Sequence, residues 1–415
     1  MRKTSKMFSL LAIIALAMMS RSVWADAAAT PAATPAPTVS VAVNGLVDTY
    51  YTYNFTNGSN SKVGFGNVGT FFNTADSTFS LGLAEVDVNA TMGNTSGHIS
   101  LDYGQEGALG IGGAPGIDVL QAYASYTTDG WTFNGGRFAT WMGNEVIQSK
   151  SNMNYSRSLL FWYTIPLWHQ GLSINYTTSD SKLGITGYIT NGWNNTGLVF
   201  SSVSGAEMGK TGGLQVSIKP DSTFSVILNG IAGPNNGQFG ASTYAPYAAI
   251  DPATARYVGE AIISFAPNST WSFALDGEYG ATDTGSTPVT LFDGTSTASS
   301  LSFWGVDLYG RYQVASDWAI ALRLEYLSDG DDSILGLNPI IPTSGTPANG
   351  VSEQEATLTV EHNFSSNMLL RLEGRMDMAS SGSTQYSTTA PNNVGPFADA
   401  GGTQATVTAS TVFSF

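Results

Sequence analysis

Hydrophobic and polar residues alternate along most of the chain. The alternation is clear in residues 403–415, where Val407 and Phe413 fall on one face and Thr406 and Thr408 on the other. A period of two residues is that of a β-strand with one apolar and one polar face. About sixteen such segments follow one another between residues 39 and 415, so the chain is predicted to be all-β.

Short and long connections alternate between these segments. The short ones are turn-forming sequences such as Asp129-Gly130. The long ones span residues 56–78, 106–116, 143–168, 192–206, 234–255, 282–300, 329–352 and 380–402. Barrels of the outer membrane have short periplasmic turns and long extracellular loops. The pattern therefore predicts a transmembrane, antiparallel, up-and-down β-barrel of about 16 strands.

The composition agrees with a barrel. Charged residues make up only 11% of the chain, against ~25% in soluble domains. The chain has no Cys, which excludes thiolate metal sites and a Cys nucleophile. Trp131, Trp271 and Trp318 each follow a short turn closely, as expected of an aromatic girdle at a membrane interface.

The N-terminus predicts export. A positively charged start precedes an apolar core at residues 7–19, and a small-x-small cleavage motif ends at Ala25. Residues 1–25 are therefore expected to be a signal peptide. Residues 26–38, rich in Ala, Pro and Thr, are expected to be a periplasmic tether, and residues 39–415 the barrel domain.

The acidic balance of the chain excludes one class of partner. Cleavage of the signal peptide removes four of the 16 basic residues and none of the 31 acidic ones, which leaves a net charge of −19. Nucleic acid would be repelled by such a protein. The same balance favours a lumen that prefers cations.

Charged residues occupy the polar face of two of the predicted strands. In residues 317–328 and 367–379 they alternate with Leu, Ile and Met. A charge on the lipid face near the membrane midplane would cost ~2–4 kcal/mol, so these side chains are expected to line the lumen. The set is Arg323, Glu325, Arg371, Glu373, Arg375 and Asp377. They either pair in structural ladders or tune selectivity.

The third long connection, residues 143–168, differs from the other loops. It carries Glu145, Lys150 and Arg157 and then a run of apolar residues that a loop in water would not expose. One interpretation folds this loop into the lumen, with the three charged residues forming a constriction beside passing solute. The alternative is that residues 158–163 extend a strand, with their aromatic rings in the outer girdle.

Several short motifs give the chain a family likeness. They are Gly136-Arg137-Phe138, Gly143-Asn144-Glu145, the run from Asn152 to Ser158, Ile165-Pro166 and His169-Gln170-Gly171. Together they resemble the β-barrel porins of the OmpL-like type, exported by Gram-negative bacteria. The resemblance implies an outer-membrane channel for small hydrophilic solutes or ions, with no catalytic residue and no cofactor. By analogy with porins of similar strand number, the chain is expected to form a homo-oligomer, a trimer.

The last residues of the chain predict a further partner. Phe413 and Phe415 lie on the apolar face of the final segment, which ends on an aromatic ring. Such an ending resembles the signal that barrels present to their assembly machinery. The apolar face itself is expected to contact outer-membrane lipid.

Two other functions remain open on the sequence alone. The barrel could be structural or adhesive, without an open pore. It could also be a hydrolase with His169 as base, because His169 lies at the outer rim near a polar loop. The acidic residues 329–332 suit either a solvated loop tip or a Ca²⁺ site, because Ca²⁺ prefers oxygen ligands. No other metal site is predicted.

Overall fold

The structure is a computed structural model. It describes residues 38–55, 67, 70, 72–104, 117–193, 209–234, 255–283, 289–290, 297–298, 300–329, 351–379 and 403–415. The predicted signal peptide, nearly all of the tether and most of the predicted long loops lie outside these residues.

The described residues form eighteen β-strands, one 3₁₀ turn and one short helix. The strands are β1 Ser40–Asn54, β2 Phe79–Met92, β3 Thr95–Gly104, β4 Asp118–Thr128, β5 Trp131–Ala139, β6 Trp168–Thr177, β7 Leu183–Thr190, β8 Thr211–Ile218, β9 Phe224–Pro234, β10 Ala255–Phe265, β11 Trp271–Asp283, β12 Val289–Thr290, β13 Thr297–Ala298, β14 Ser300–Gln313, β15 Trp318–Asp329, β16 Val351–Ser365, β17 Met368–Ala379 and β18 Thr403–Ser414. The 3₁₀ turn is Ser149–Ser151 and the helix, α1, is Leu159–Tyr163.

Sixteen of the strands close into an antiparallel barrel. Each pairs with its neighbours in sequence, and β12 and β13 form a separate two-stranded sheet between β11 and β14. The barrel closes where β1 pairs with β18, with Thr52 opposite Thr408. The predicted fold class and strand number are confirmed. Closure gives the backbone N–H and C=O groups of the edge strands hydrogen-bond partners within the protein. The hydrocarbon core of a membrane could not supply such partners.

Alternate residues of the barrel strands face lipid and lumen. In β15, Trp318, Ile320 and Leu322 are exposed, whereas Arg323 and Glu325 are buried. The same alternation runs through β18, whose buried face is polar or small apart from Val412. Burying charge inward and exposing apolar side chains to lipid is the arrangement with the lowest free energy in a membrane.

The pattern of β2 changes phase at a β-bulge. Asp48 of β1 is opposite Leu83, and Thr49 is opposite Leu81. Gly82 is therefore the additional residue, which shifts the following side chains to the other face.

The short connections are tight turns at one end of the barrel. Asp129 and Gly130 both have positive φ angles, of 48° and 81°, as in a two-residue hairpin turn. After β8, Asp221 accepts hydrogen bonds of 2.7 Å from both the hydroxyl and the amide of Thr223. These bonds lower the pKa of the Asp221 carboxyl. Among the described residues, no helix has the length and apolar character to span a membrane.

The third long connection forms α1 in place of a strand extension. The helix begins after Ser158, whose hydroxyl accepts a 3.0 Å hydrogen bond from the amide of Phe161, as a helix N-cap does. Its apolar residues are buried against inward-facing side chains near the long-loop end of the barrel. These include Leu120, Ile231, Val258, Phe303 and Leu327.

Candidate functional site

Residues 143–168, called here the plug segment, are bound by inward-facing carboxylates of the barrel wall. Glu325 accepts hydrogen bonds from the amides of Leu159 (2.7 Å) and Leu160 (2.6 Å). Glu373 accepts one of 2.9 Å from the amide of Ser156. The first amides of a helix lack partners within the helix, and a carboxylate is a strong acceptor for them. The plug segment therefore lies inside the barrel.

The beginning of the plug segment is held in the same way by two nearby strands of the same wall. The amide of Gly143 donates to Glu260 at 2.7 Å, and that of Asn144 donates to Asp276 at 3.0 Å. Glu260 and Asp276 lie on β10 and β11. The wall thus binds the plug segment at its beginning, residues 143–144, and again at residues 156–160.

Arginines of the wall bind carbonyl groups of the plug segment. The bonds are Arg323 to the carbonyl of Ser156 (2.7 Å), Arg375 to that of Arg157 (2.7 Å) and Arg371 to that of Ser149 (2.5 Å). A guanidinium offers several donors in a rigid fork, so each of these arginines also binds an acid of the wall. Backbone amides of the plug segment therefore bind acids of the wall, and its backbone carbonyl groups bind arginines of the wall.

A buried ion triad joins the plug segment to the wall. Arg323 lies between Glu145 of the plug segment (2.7 Å) and Glu355 of β16 (2.8 Å). The Arg323 side chain is 0% exposed. Removing one member of a buried pair leaves an uncompensated charge in a medium of low polarity, so the triad strongly constrains where the plug segment lies.

Two of the three residues predicted to meet solute are buried. Arg157 is 2% exposed and Glu145 is 3% exposed. Arg157 donates to the carbonyl groups of Tyr155 (2.8 Å) and Ile147, so its charge is used within the plug segment. The expectation of a constriction formed by these residues is corrected. Lys150 is exposed, and its Nζ contacts the hydroxyl of Ser414.

The six charged residues predicted on β15 and β17 all face inward, as expected. They are Arg323, Glu325, Arg371, Glu373, Arg375 and Asp377, and none is more than 5% exposed. The plug segment covers them. They pair with one another, with neighbouring acids or with the plug backbone, which agrees with structural ladders and not with contact to passing solute.

Three carboxylates of β10 and β11 form a buried cluster. Oxygen atoms of Glu260, Asp276 and Glu278 all lie within 4.8 Å of one another. Oxygens at this spacing suit a hard cation such as Ca²⁺. Asp329, the first residue of the acidic segment 329–332, is buried in β15, and Asp331 and Asp332 lie outside the described residues.

A polar cavity of about 580 Å³ lies along β2–β8. None of the described residues that line it is Asp, Glu, Lys or Arg. Its polar lining includes Asn89, Gln121, Asn134, Asn175, Thr186 and Gln215. We call this lining the neutral wall, and the inward face of β10, β11, β14–β18 and β1 the charged wall. Sequence reasoning missed the neutral wall, although the absence of Asp, Glu, Lys and Arg from β6–β8 was a usable signal.

His169 is placed poorly for catalysis. Its ring is 0% exposed, stacks on Trp141 at 4.2 Å and shares a 3.1 Å hydrogen bond between Nε2 and the hydroxyl of Thr140. Among the described residues, Nδ1 has no hydrogen-bond partner. A catalytic His needs a group that orients it beside a nucleophile, and the described surroundings supply none.

Phe413 and Phe415 lie at the outer surface where the barrel closes. They are 46% and 56% exposed. The backbone of Phe415 exchanges two 3.0 Å hydrogen bonds with Gly45 of β1. The last residue therefore takes part in barrel closure.

Comparisons with known proteins agree with this architecture. The family described as "Putative beta-barrel porin-2, OmpL-like" matches residues 40–415. No curated protein matches the sequence. Similar solved structures include an anion-selective porin from Comamonas acidovorans, with a TM-score of 0.56, 12% identity and coverage of 91% of this chain and 100% of that one.

Two further structures have the same fold. A trimer form of OmpT from Vibrio cholerae has a TM-score of 0.55, 12% identity and coverage of 91% and 99% of the two chains. The outer membrane channel DcaP of Acinetobacter baumannii has a TM-score of 0.53, 12% identity and coverage of 91% and 97%. At this identity, the likeness concerns the fold alone.

Proposed function

The chain belongs to the OmpL-like family of β-barrel porins, and from this premise we propose that it lets small hydrophilic solutes and ions diffuse passively across the outer membrane, with a mild preference for cations. The observation that carries the proposal is the cavity of about 580 Å³ beside the plug segment, within a closed barrel. A polar space of this kind suits solutes that keep part of their hydration.

The cation preference rests on charge. The net charge of −19 expected after signal-peptide cleavage favours cations near the channel. The effect is modest because exposed charges are screened within ~8 Å at physiological salt, and because the acids of the charged wall are covered. The anion-selective neighbour shares too little sequence to argue against it.

Recordings from the purified protein in planar lipid bilayers test both parts of the proposal. We expect discrete single-channel currents, and a reversal potential of the cation-preferring sign in a salt gradient. Clear anion preference would contradict the charge argument while leaving the channel intact.

A structural or adhesive barrel is the second candidate, because the plug segment fills the side of the lumen next to the charged wall. Failure of a folded sample to conduct at any voltage would favour it. The hydrolase alternative has little support, since His169 lacks an orienting group among the described residues. A wild type without esterase or protease activity would eliminate it, and so would a His169→Ala variant that keeps the wild-type activity.

The proposed partners follow from the family and from the two ends of the chain. Export uses the signal peptide at residues 1–25, and N-terminal sequencing of the mature protein tests cleavage after Ala25. The assembly machinery of Gram-negative bacteria is proposed to recognise Phe413 and Phe415, and surface levels of a Phe415→Asp variant test this. A trimer is proposed by analogy with the OmpT trimer form, and native mass measurement in detergent tests it.

A further inference from the structure

The neutral wall combines aromatic rings with uncharged hydrogen-bonding groups. Trp141 and Tyr188 stack face to face, with ring centroids 3.8 Å apart and planes at 9°. Phe138 adjoins them, with its centroid 6.2 Å from that of Tyr188. All three side chains line the cavity and are only partly buried. Because His169 stacks on the other face of Trp141 at 4.2 Å, the aromatic surface presented to the open side of the lumen is that of Tyr188 and Phe138.

Trp141 is held firmly in this position. Its carbonyl oxygen accepts a 2.9 Å hydrogen bond from Nε2 of Gln215. Its ring lies over Gly213, where an added Cβ would overlap the indole. The backbone of β8 therefore leaves room for the ring only because residue 213 is Gly, and the aromatic surface is fixed before any solute arrives.

Amide and hydroxyl groups surround the aromatic surface. Gln215 also donates a 3.0 Å hydrogen bond to Asn229. Asn134 donates one of 3.0 Å to Ser173, and Asn175 one of 2.7 Å to Thr186. Amides carry both donors and acceptors, so such a network can exchange its internal bonds for bonds to hydroxyl groups of a solute.

The aromatic rings and the surrounding amide and hydroxyl groups together fit one class of solute. An ion would gain little, because none of the described lining residues is Asp, Glu, Lys or Arg. An apolar solute would leave the amides without partners, which costs free energy. A sugar presents C–H groups, which suit the negative face of an aromatic ring, and hydroxyl groups, which suit the amides. A volume of about 580 Å³ lies within the ~300–1,000 Å³ usual for small-molecule sites.

We propose that the neutral wall is a weak binding site for uncharged saccharides on their way through the barrel, with the ring of Tyr188, backed by Trp141, as the stacking surface. This inference rests on the proposed channel function, and it names the solute class that the lumen favours. Transit requires that the site bind weakly, so that the sugar also leaves.

Sugar block of the ionic current tests the proposal. Single-channel currents are recorded in potassium chloride while glucose or a linear glucose trisaccharide is added. We expect the trisaccharide to block the wild-type current in a concentration-dependent way. A Tyr188→Ala variant should need about tenfold more sugar for half-block, the upper range expected from losing one aromatic contact.

Two further variants serve as controls. Tyr188→Phe keeps the ring and should retain most of the block. Tyr176→Ala removes an exposed ring from the lipid-facing side of the adjacent strand β6 and should leave the block unchanged. Each variant's current in salt alone reports whether it has folded as a channel.

The outcomes separate this inference from the channel itself. A wild-type current that sugar neither blocks nor alters overturns the saccharide site and leaves the channel standing. Equal block of the wild type and Tyr188→Ala, with normal currents in salt, also overturns it. Absence of current in the wild type contradicts the channel function on which the inference depends.

Discussion

Polar side chains on the charged wall and on the neutral wall of the lumen have different partners. Acids and arginines of the charged wall are bound to the backbone of the plug segment, and residues such as Arg323 and Asp377 are fully buried. The neutral wall carries amides, hydroxyls and aromatic rings that still face a cavity. Strong polar groups fix a segment in place, whereas weaker ones leave space for solute.

The charged wall holds the plug segment rigidly, whereas the neutral wall allows solute to pass. A buried charge must be paired, so residues of the charged wall such as Arg323, Glu325 and Glu373 constrain the plug segment that supplies their partners. A neutral amide loses less when its partner is exchanged. The charge visible in the sequence therefore marks the part of the lumen that is closed, and substitutions on the two walls should have different effects.

The largest effect is expected from Arg323→Ala. This change leaves Glu145 and Glu355 buried without their shared cation, so the free energy of unfolding should fall by about 3–5 kcal/mol. Thermal or urea unfolding in detergent, followed by the loss of β-sheet circular dichroism, measures it. Arg311→Ala is the matched control, since Arg311 pairs with Glu361 but is partly exposed, and should cost on the order of 1 kcal/mol. Equal losses would contradict the distinction.

A smaller effect is expected from Arg157→Ala. The change removes the donors that bind carbonyl groups of Tyr155 and Ile147 inside the plug segment, at a cost of about 1–3 kcal/mol. We expect noisier single-channel currents, because the plug segment is less fixed while the wall remains intact. Lys210→Ala removes an exposed cation outside the barrel strands and should give quiet, wild-type currents. Indistinguishable recordings from the two variants would show that Arg157 does not brace the segment.

The smallest effect is expected from Ser158→Ala, which removes the N-cap of α1. The expected loss is about 1 kcal/mol, because Glu325 still binds the amides of Leu159 and Leu160. Thermal unfolding measures the loss. Ser151→Ala, at an exposed position of the same segment, should leave the midpoint unchanged. A larger loss than for Arg157→Ala would mean that the helix cap stabilises the plug segment more than the bonds of Arg157 do.

The barrel itself could be predicted from the sequence because lipid imposes a strict period of two. Residues such as Leu322 and Arg323 are adjacent in sequence but lie in different media, and the free-energy difference is large enough to mark every strand. The bulge at Gly82 changes the phase of this period within β2.

The interior could be predicted only in part. That Glu373 faces inward follows from its strand, but its partner does not, since the amide of Ser156 is 217 residues away in sequence. Arg157 was assigned to solute because a charge in a loop normally seeks water. In the structure, carbonyl groups of the plug segment replace water as acceptors for the Arg157 guanidinium. Which carbonyl groups come within reach depends on the three-dimensional path of the loop, which the sequence pattern does not give. The neutral wall was missed because Asn, Ser and Thr are also common in turns and loops.

The position of the plug segment has a consequence for the order of assembly. Its partners on β15 and β17 follow it in the chain by 166 residues for Leu159 and Glu325, and by 217 for Ser156 and Glu373. These strands must be in place before the segment can bind, and β18 must pair with β1 before the wall is continuous. Long-range contacts of this kind form late, because closing long loops has a high entropic cost. The half of the lumen that is closed in the mature barrel is therefore open while the barrel is being built, and it fills only when the last strands arrive.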